Sequence, residues 1–230
     1  AAPCPAHFID IPIVAPKKER SMHVFDKPIV MIDFETTGLS PDMGDRITEV
    51  AALRIEGGQI TDRYVTLINC NARIPAFITG LTGITQSMVD KAPPVADVVP
   101  QLLDFIGSDA LSAHNASFDE KFLRAESARL NLAPAHQSLV CSLKLSRRVF
   151  PGMSSYKLGL LSSQLGIAFK SAAHRAESDA EVAAQVLIHI GRHLRSNYGI
   201  ADVDADLLVS LNKLAAAKVP QFLQKHPSRR

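Results

Sequence analysis

Hydrophobic positions along the chain follow two periods, and the change from one to the other marks out the elements. An apolar run from Pro28 to Phe34 reads as a strand, and two further β-like runs follow, Arg46 to Ile55 and Ile60 to Ile68. Gly57-Gly58 between the last two supplies the positive φ angles of a tight hairpin. After a loop containing GLTGIT the period lengthens. Val95, Val98, Val99, Leu102, Leu103 and Ile106 fall at helical spacing and predict an amphipathic helix over 95–106. Ala110 to Ala113 is a short strand, and Phe118, Phe122 and Ala125 mark a second helix running to about Leu130. Lys157 to Leu165, stopped by Gly166, predicts a third helix, and Val182, Ala183, Val186, Leu187, Ile190 and Leu194 a fourth. A last helical pattern, Leu207, Leu208, Leu211 and Leu214, lies beyond a polar break at 201–205. Three leading strands followed by alternating helices and strands predict an α/β fold, a mixed sheet flanked by helices. Residues 1–26, with four prolines and no sustained period, read as an extended arm; 27–199 would form the main domain, and 200–230 a helix and basic tail.

With 230 residues and 47% hydrophobic content, the chain can bury one sizeable core. No apolar run approaches the ~18 residues of a membrane span, and the first residues lack a charged start followed by an apolar core. A soluble, cytoplasmic protein with no membrane partner is expected. Cys4, Cys70 and Cys141 are odd in number and form no Cys-x-x-Cys pair, which predicts neither a disulfide framework nor a zinc site. The net charge of +2 conceals an uneven distribution. From Ser127 to Ala176 there is no Asp or Glu, while Arg129, Lys144, Arg147, Arg148, Lys157, Lys170 and Arg175 are positive. Such a segment either lines a groove for a polyanion or is an ordinary solvated surface.

The candidate chemistry begins at Met31-Ile32-Asp33-Phe34-Glu35-Thr36-Thr37-Gly38. In a strand, residues i and i+2 share a face, so Asp33 and Glu35 converge while Phe34 packs on the other side. Two buried carboxylates repel, and a hard divalent cation with oxygen ligands relieves the repulsion. Two more acids recur in a common setting: Ser117-Phe118-Asp119-Glu120 and Ser178-Asp179-Ala180-Glu181 both fit the Ser-x-x-Glu capping box at a helix start. Asp119 and Asp179 then stand in first turns, where the helix dipole favours acids whatever else they do. His114-Asn115 lies just ahead of one and His174 five residues ahead of the other.

Together these stretches resemble the DEDDh family of 3′-to-5′ exonucleases, which includes the proofreading epsilon subunits of bacterial DNA polymerase III. The family's Asp-x-Glu-Thr-Thr-Gly stands as Asp33 to Gly38, its His-Asn-x-x-Phe-Asp as His114 to Asp119, and its His-x-x-x-x-Asp as His174 to Asp179. The order is right, and the resemblance, which includes ITEVAAL, LTGIT and YKLGLLSSQLGI, covers roughly residues 28–198. It implies a ribonuclease H-like fold and hydrolysis of phosphodiesters at the 3′ end of single-stranded DNA, with RNA as the alternative substrate. It further implies two Mg2+ or Mn2+ ions held by Asp33, Glu35, Asp119 and Asp179, with His174 as general base. Thr36, Thr37, Gly38, Leu39, His114 and Asn115 would meet the terminal nucleotides. The arm and the tail are the segments that would dock a DNA polymerase subunit; a silent nucleic-acid-binding module is the reading from another class. Cys141-Ser142 departs from the family, where many relatives carry Asp-Thr. With 6% aromatics and no Trp, a short grip on a few terminal nucleotides is expected rather than a long stacking platform.

Overall fold

A computed structural model describes residues 23–168, 174–201 and 203–226. Its centre is β1 (Ile29–Thr36), in a five-stranded sheet. β2 (Ile47–Glu56) and β3 (Gln59–Leu67) run antiparallel on one side of it. The hairpin between them turns through Gly57 and Gly58, at φ +59° and +87°. On the other side, β4 (Ala110–Ala113) and then β5 (Leu139–Cys141) run parallel to β1, giving the order β3-β2-β1-β4-β5. The mixed sheet expected from the sequence is therefore present.

Between β3 and β4 lie α1 (Ala76–Thr82), α2 (Gln86–Asp90) and α3 (Val95–Ile106). The GLTGIT stretch, expected to be loop, contains the end of α1 and its left-handed terminus at Gly83. The buried positions of α1 are only Ile78 and Thr82, so no apolar stripe marks it in the sequence. α4 (Ala116–Arg129) precedes β5; α5 (Ser142–Val149), α6 (Leu158–Gln164) and α7 (Ala176–Tyr198) follow it. The periodicity did not reveal α5, because its buried face alternates Leu145 and Val149 with Ser142 and Ser146.

Strand alternation distributes β1 between two layers. Ile29 and Met31 pack on the α7 side, whereas Val30, Ile32 and Phe34 pack with α3 and α4. Small residues on α7, including Ala180, Ala183 and Ala184, let it lie close on the sheet. At Gly191 an added Cβ would sit 2.5 Å from Val24 and 2.9 Å from Phe25. That missing side chain lets residues 24–25 cross the helix, and both are core. Residues 23–26, expected within an extended arm, are thus packed; residues 1–22 lie outside the described residues.

The polar break at 201–205 is a helix cap, not a gap in packing. The Asp204 carboxylate accepts from Leu207 N at 2.7 Å and starts α8 (Ala205–Lys213), after which α9 (Val219–Lys225) follows. Val203, Leu207, Leu208, Leu211, Val219 and Leu223 belong to the same core as α7. β5 is an edge strand, and Asn212 of α8 covers its end. The carboxamide oxygen accepts from Cys141 N at 2.8 Å, and its nitrogen donates to Cys141 O at 3.1 Å, as a neighbouring strand would. Replacing Asn212 with Ala leaves both backbone groups without these partners and should cost about 1–3 kcal/mol in urea unfolding. A loss below about 0.5 kcal/mol would mean that apolar packing alone seats α8.

Candidate active site

The face of β1 that carries Ile29 and Met31 into the core ends with Asp33 and Glu35, beside the start of α7. Asp179 stands in the first turn of that helix, and one carboxylate oxygen from each of Asp33, Glu35 and Asp179 lies within 4.8 Å of the others. Asp119, in the first turn of α4, is only 3% exposed and completes the group electrostatically. Its carboxylate accepts from its own N–H and from that of Phe34, the residue between the two β1 acids.

Burial and like charge raise the whole group. Asp33 is raised well above the ordinary carboxylate range, first by burial and then by Asp119, Asp179 and Glu35. Burial, with Asp179 adding to it, lifts Glu35 from 4.5 to about 7, against the pull of Arg175. Burial lifts Asp119 from 3.8 to about 8, against the two backbone N–H groups. Asp179 is raised by burial as well. Among the described residues no Lys or Arg pairs with any of the four. Their oxygens are hard donors, so the set fits a hard divalent cation and offers nothing to a soft one.

A carboxylate that sequence reasoning missed aims this cluster. Glu49 lies opposite Glu35 in the sheet and is 3% exposed. It accepts from Ala176 N, the first residue of α7, at 2.9 Å, and from both Nε and Nη2 of Arg175. The N-terminus of α7 is thereby capped from β2, across the sheet. This corrects the capping-box reading: Ser178 and Ser117 lie inside their helices, and the N-cap positions are Arg175 and Asn115. A signal was available in ITEVAAL, where a lone Glu interrupts an apolar strand and so requires buried partners. His174, just ahead, is exposed and holds a left-handed backbone, φ +62°, while its N–H donates to Asp179 Oδ2 at 3.2 Å. Residues 169–173, which include Lys170, lie outside the described residues.

The loop after β1 is built by its own side chains. Thr36 and Thr37 are buried; the first donates to Gly38 O at 2.6 Å, and the second bonds Asp45 Oδ1 and accepts from Arg46 N. Asp45 also accepts from Ser40 N, and its carboxylate lies where a Cβ on Gly38 would be, so any larger residue there must displace a bonded acid. Arg46 forks onto the buried Glu126 of α4 at 2.7 and 2.9 Å, and Lys121 Nζ donates to Leu39 O. Leu39, 78% exposed, is held out from a rigid support. The hydroxyls of Thr36 and Thr37 thus hold the shape of the loop.

His114 and Asn115 also prove to be built in. Both His114 ring nitrogens are taken, by Ser142 Oγ at 3.0 Å and Tyr156 O at 2.9 Å, and burial pushes its pKa down. A neutral ring donates to the carbonyl and accepts from the hydroxyl, which gives Ser142 of the departing Cys141-Ser142 pair a structural task. Asn115 is exposed and stands at φ +80°, a backbone that Asn tolerates better than most residues.

The sequence profile of the exonuclease family (RNase_T: Exonuclease) matches residues 30–187. The chain belongs to the exonuclease family. It is 34% identical over 180 residues to the DNA polymerase III subunit epsilon of Aquifex aeolicus (strain VF5), covering 78% of this chain and 88% of that one. It is 41% identical over 166 residues to the 3′-5′ exonuclease DinG of Bacillus subtilis (strain 168), covering 72% of this chain. It spans only 18% of the length of that protein and 14% of a PolC-type DNA polymerase III from Clostridium perfringens. Exonuclease X in complex with 5′ overhanging duplex DNA superposes with a TM-score of 0.63 at 26% identity, over 80% of this chain and 99% of that one. The mixed five-stranded sheet flanked by helices is the fold this chain shares with that exonuclease.

Two outcomes test the site. Because the acids are raised, the folded metal-free exonuclease holds protons that the unfolded chain has released, so its stability falls as pH rises between about 4 and 8. Its thermal midpoint should drop across that range, and Asp33→Asn should flatten the drop; a midpoint that climbs with pH would overturn the assignment of the shifts. Glu49→Ala should weaken Mn2+ binding, read by titration calorimetry, by about ten- to a hundredfold, because it releases the start of α7. Unchanged Mn2+ affinity in a folded variant would show that Glu49 has no part in aiming the acids.

Proposed function

We propose that the protein hydrolyses phosphodiester bonds at the 3′ end of single-stranded DNA, releasing nucleoside monophosphates. The observation that carries the reading is the convergence of Asp33, Glu35 and Asp179, with Asp119 beside them, in a cluster with which no Lys or Arg among the described residues forms an ion pair. Two ions, Mg2+ or Mn2+, would be held by Asp33, Glu35, Asp119 and Asp179. When bound, such ions polarise the phosphate, lower the pKa of the attacking water and stabilise the departing oxygen.

The chain's own residues do the rest. His174, outside the acid cluster but tied to Asp179 through its backbone, takes the proton of the attacking water at an imidazole nitrogen. Leu39, on its braced loop, packs on a terminal base, and the backbone around Gly38 admits the nucleotide closely. Asn115 contacts the strand from the opposite side. The likeness to a DNA polymerase III epsilon subunit and to an exonuclease seen with DNA supports DNA over RNA. The same relative supports a DNA polymerase subunit as docking partner, and the cytoplasm as the place of action. No described helix is long and apolar enough to cross a membrane.

Digestion of 3′-labelled single-stranded DNA and RNA with Mg2+, Mn2+ or chelator tests the reading. DNA shortening that stops with chelator and falls at least a thousandfold in Asp33→Ala is expected. Degradation of neither polymer under any metal ends the hydrolase reading, and faster loss of RNA ends the DNA assignment. His174→Ala should lower kcat by about a hundredfold or more with little change in Mn2+ affinity; wild-type turnover would remove it as general base.

A further inference from the structure

The acid-free stretch from Ser127 to Ala176 sorts its cations into two groups once folded. Arg129 turns to Glu126 and Arg175 to Glu49, as Arg46, Arg54, Arg63 and Arg124 turn to carboxylates elsewhere. Arg148 is spent on backbone carbonyls, those of Leu214 and Lys144. Lys144, Arg147 and Lys157 remain. All three are exposed, and among the described residues none of them pairs with a carboxylate.

Their place in the fold gives them a direction. Lys144 and Arg147 stand on α5, three residues apart and so on one side of the helix, and Arg147 lies over the Tyr156 ring at 5.8 Å. That ring is fixed, because its hydroxyl donates to Phe150 O at 2.7 Å and accepts from Met153 N. Lys157 is the next residue. The Tyr156 carbonyl and Ser142, the first residue of α5, both bond His114, which immediately precedes Asn115 and the helix that carries Asp119. The three free cations therefore adjoin the acid cluster on its β4–β5 side.

A 3′ end seated among the acids leaves only one continuation of the polymer, the 5′ portion, and its phosphates must leave the site over some surface. We propose that Lys144, Arg147 and Lys157 form a phosphate track that holds the 5′ continuation of the single-stranded DNA, upstream of the scissile bond. This rests on the proposed function. Arg147 is suited to the first contact: its guanidinium already lies over the Tyr156 ring, 5.8 Å from its centre, before the strand arrives. The track reads charge and spacing, not bases.

The test is binding of a fluorescent dT20 strand by anisotropy, in chelator so that nothing is cut, across a series of salt concentrations. The triple variant Lys144→Gln, Arg147→Gln, Lys157→Gln should bind roughly tenfold more weakly, and the log affinity against log salt slope should fall by about 2, at ~0.7 per lost phosphate contact. A charge-matched control, Lys27→Gln, Arg192→Gln, Lys225→Gln, should stay within about twofold of wild type. If the triple variant keeps both affinity and slope, or the control loses as much, the track is overturned. Should the triple variant fail to fold, Lys144→Gln and Lys157→Gln alone should each lower the slope by about 0.7; unchanged slopes in both overturn the proposal. Digestion of the same strand by wild type with Mn2+ is read separately: binding through the track without cleavage would sink the hydrolase reading and leave the track standing.

Discussion

Four carboxylates stand close together at one end of the sheet, and each raises the cost of ionising the others. The rest of the molecule is arranged to hold them there. Asp33 and Glu35 are fixed by a central strand with partners on both sides, Asp119 and Asp179 by the first turns of two helices whose positive ends face the cluster. A metal-free protein bears this repulsion as lost stability at higher pH; a bound cation would turn the same repulsion into affinity.

What keeps the arrangement from relaxing is a second tier of ionic contacts at buried carboxylates. Glu49 ties β2 to the start of α7, and Glu126 ties α4 to the loop after β1 through Arg46. Each acid is nearly sealed from solvent and carries several charge-assisted hydrogen bonds, the condition under which a buried charge is tolerable. Both bridge elements far apart in sequence, so the acids of the site move as one body. The basic surface next to the cluster completes an alternation of charge: an acidic centre for cations and a basic exit for phosphates.

Much of the fold was legible because the signal was local. The three leading strands, the Gly57-Gly58 hairpin, the helix over 95–106 and the strand over 110–113 all follow from side-chain period, and the structure has them where the pattern placed them. Helices without an apolar stripe were not legible: α1 buries only Ile78 and Thr82, and the buried face of α5 mixes Leu145 and Val149 with Ser142 and Ser146. The boundary drawn at 199/200 followed a polar stretch whose meaning is local: Asp204 caps α8, and only the core contacts of α8 and α9 show that they belong to the same packed body.

The sequence by itself determined where the candidate acids stand, because strand alternation puts Asp33 and Glu35 on one face and the helical patterns put Asp119 and Asp179 in first turns. It could not assign tasks that depend on partners scores of residues away. The structure adds bracing bonds at Thr36, Thr37 and His114, within the loop and at the β4–β5 edge, and it brings in Glu49 and Glu126 as anchors. Hydrogen bonds and burial are properties of the assembled core, where a polar group must find a partner wherever the fold supplies one. Motif spacing encodes direction along one element; only tertiary packing decides what each side chain meets.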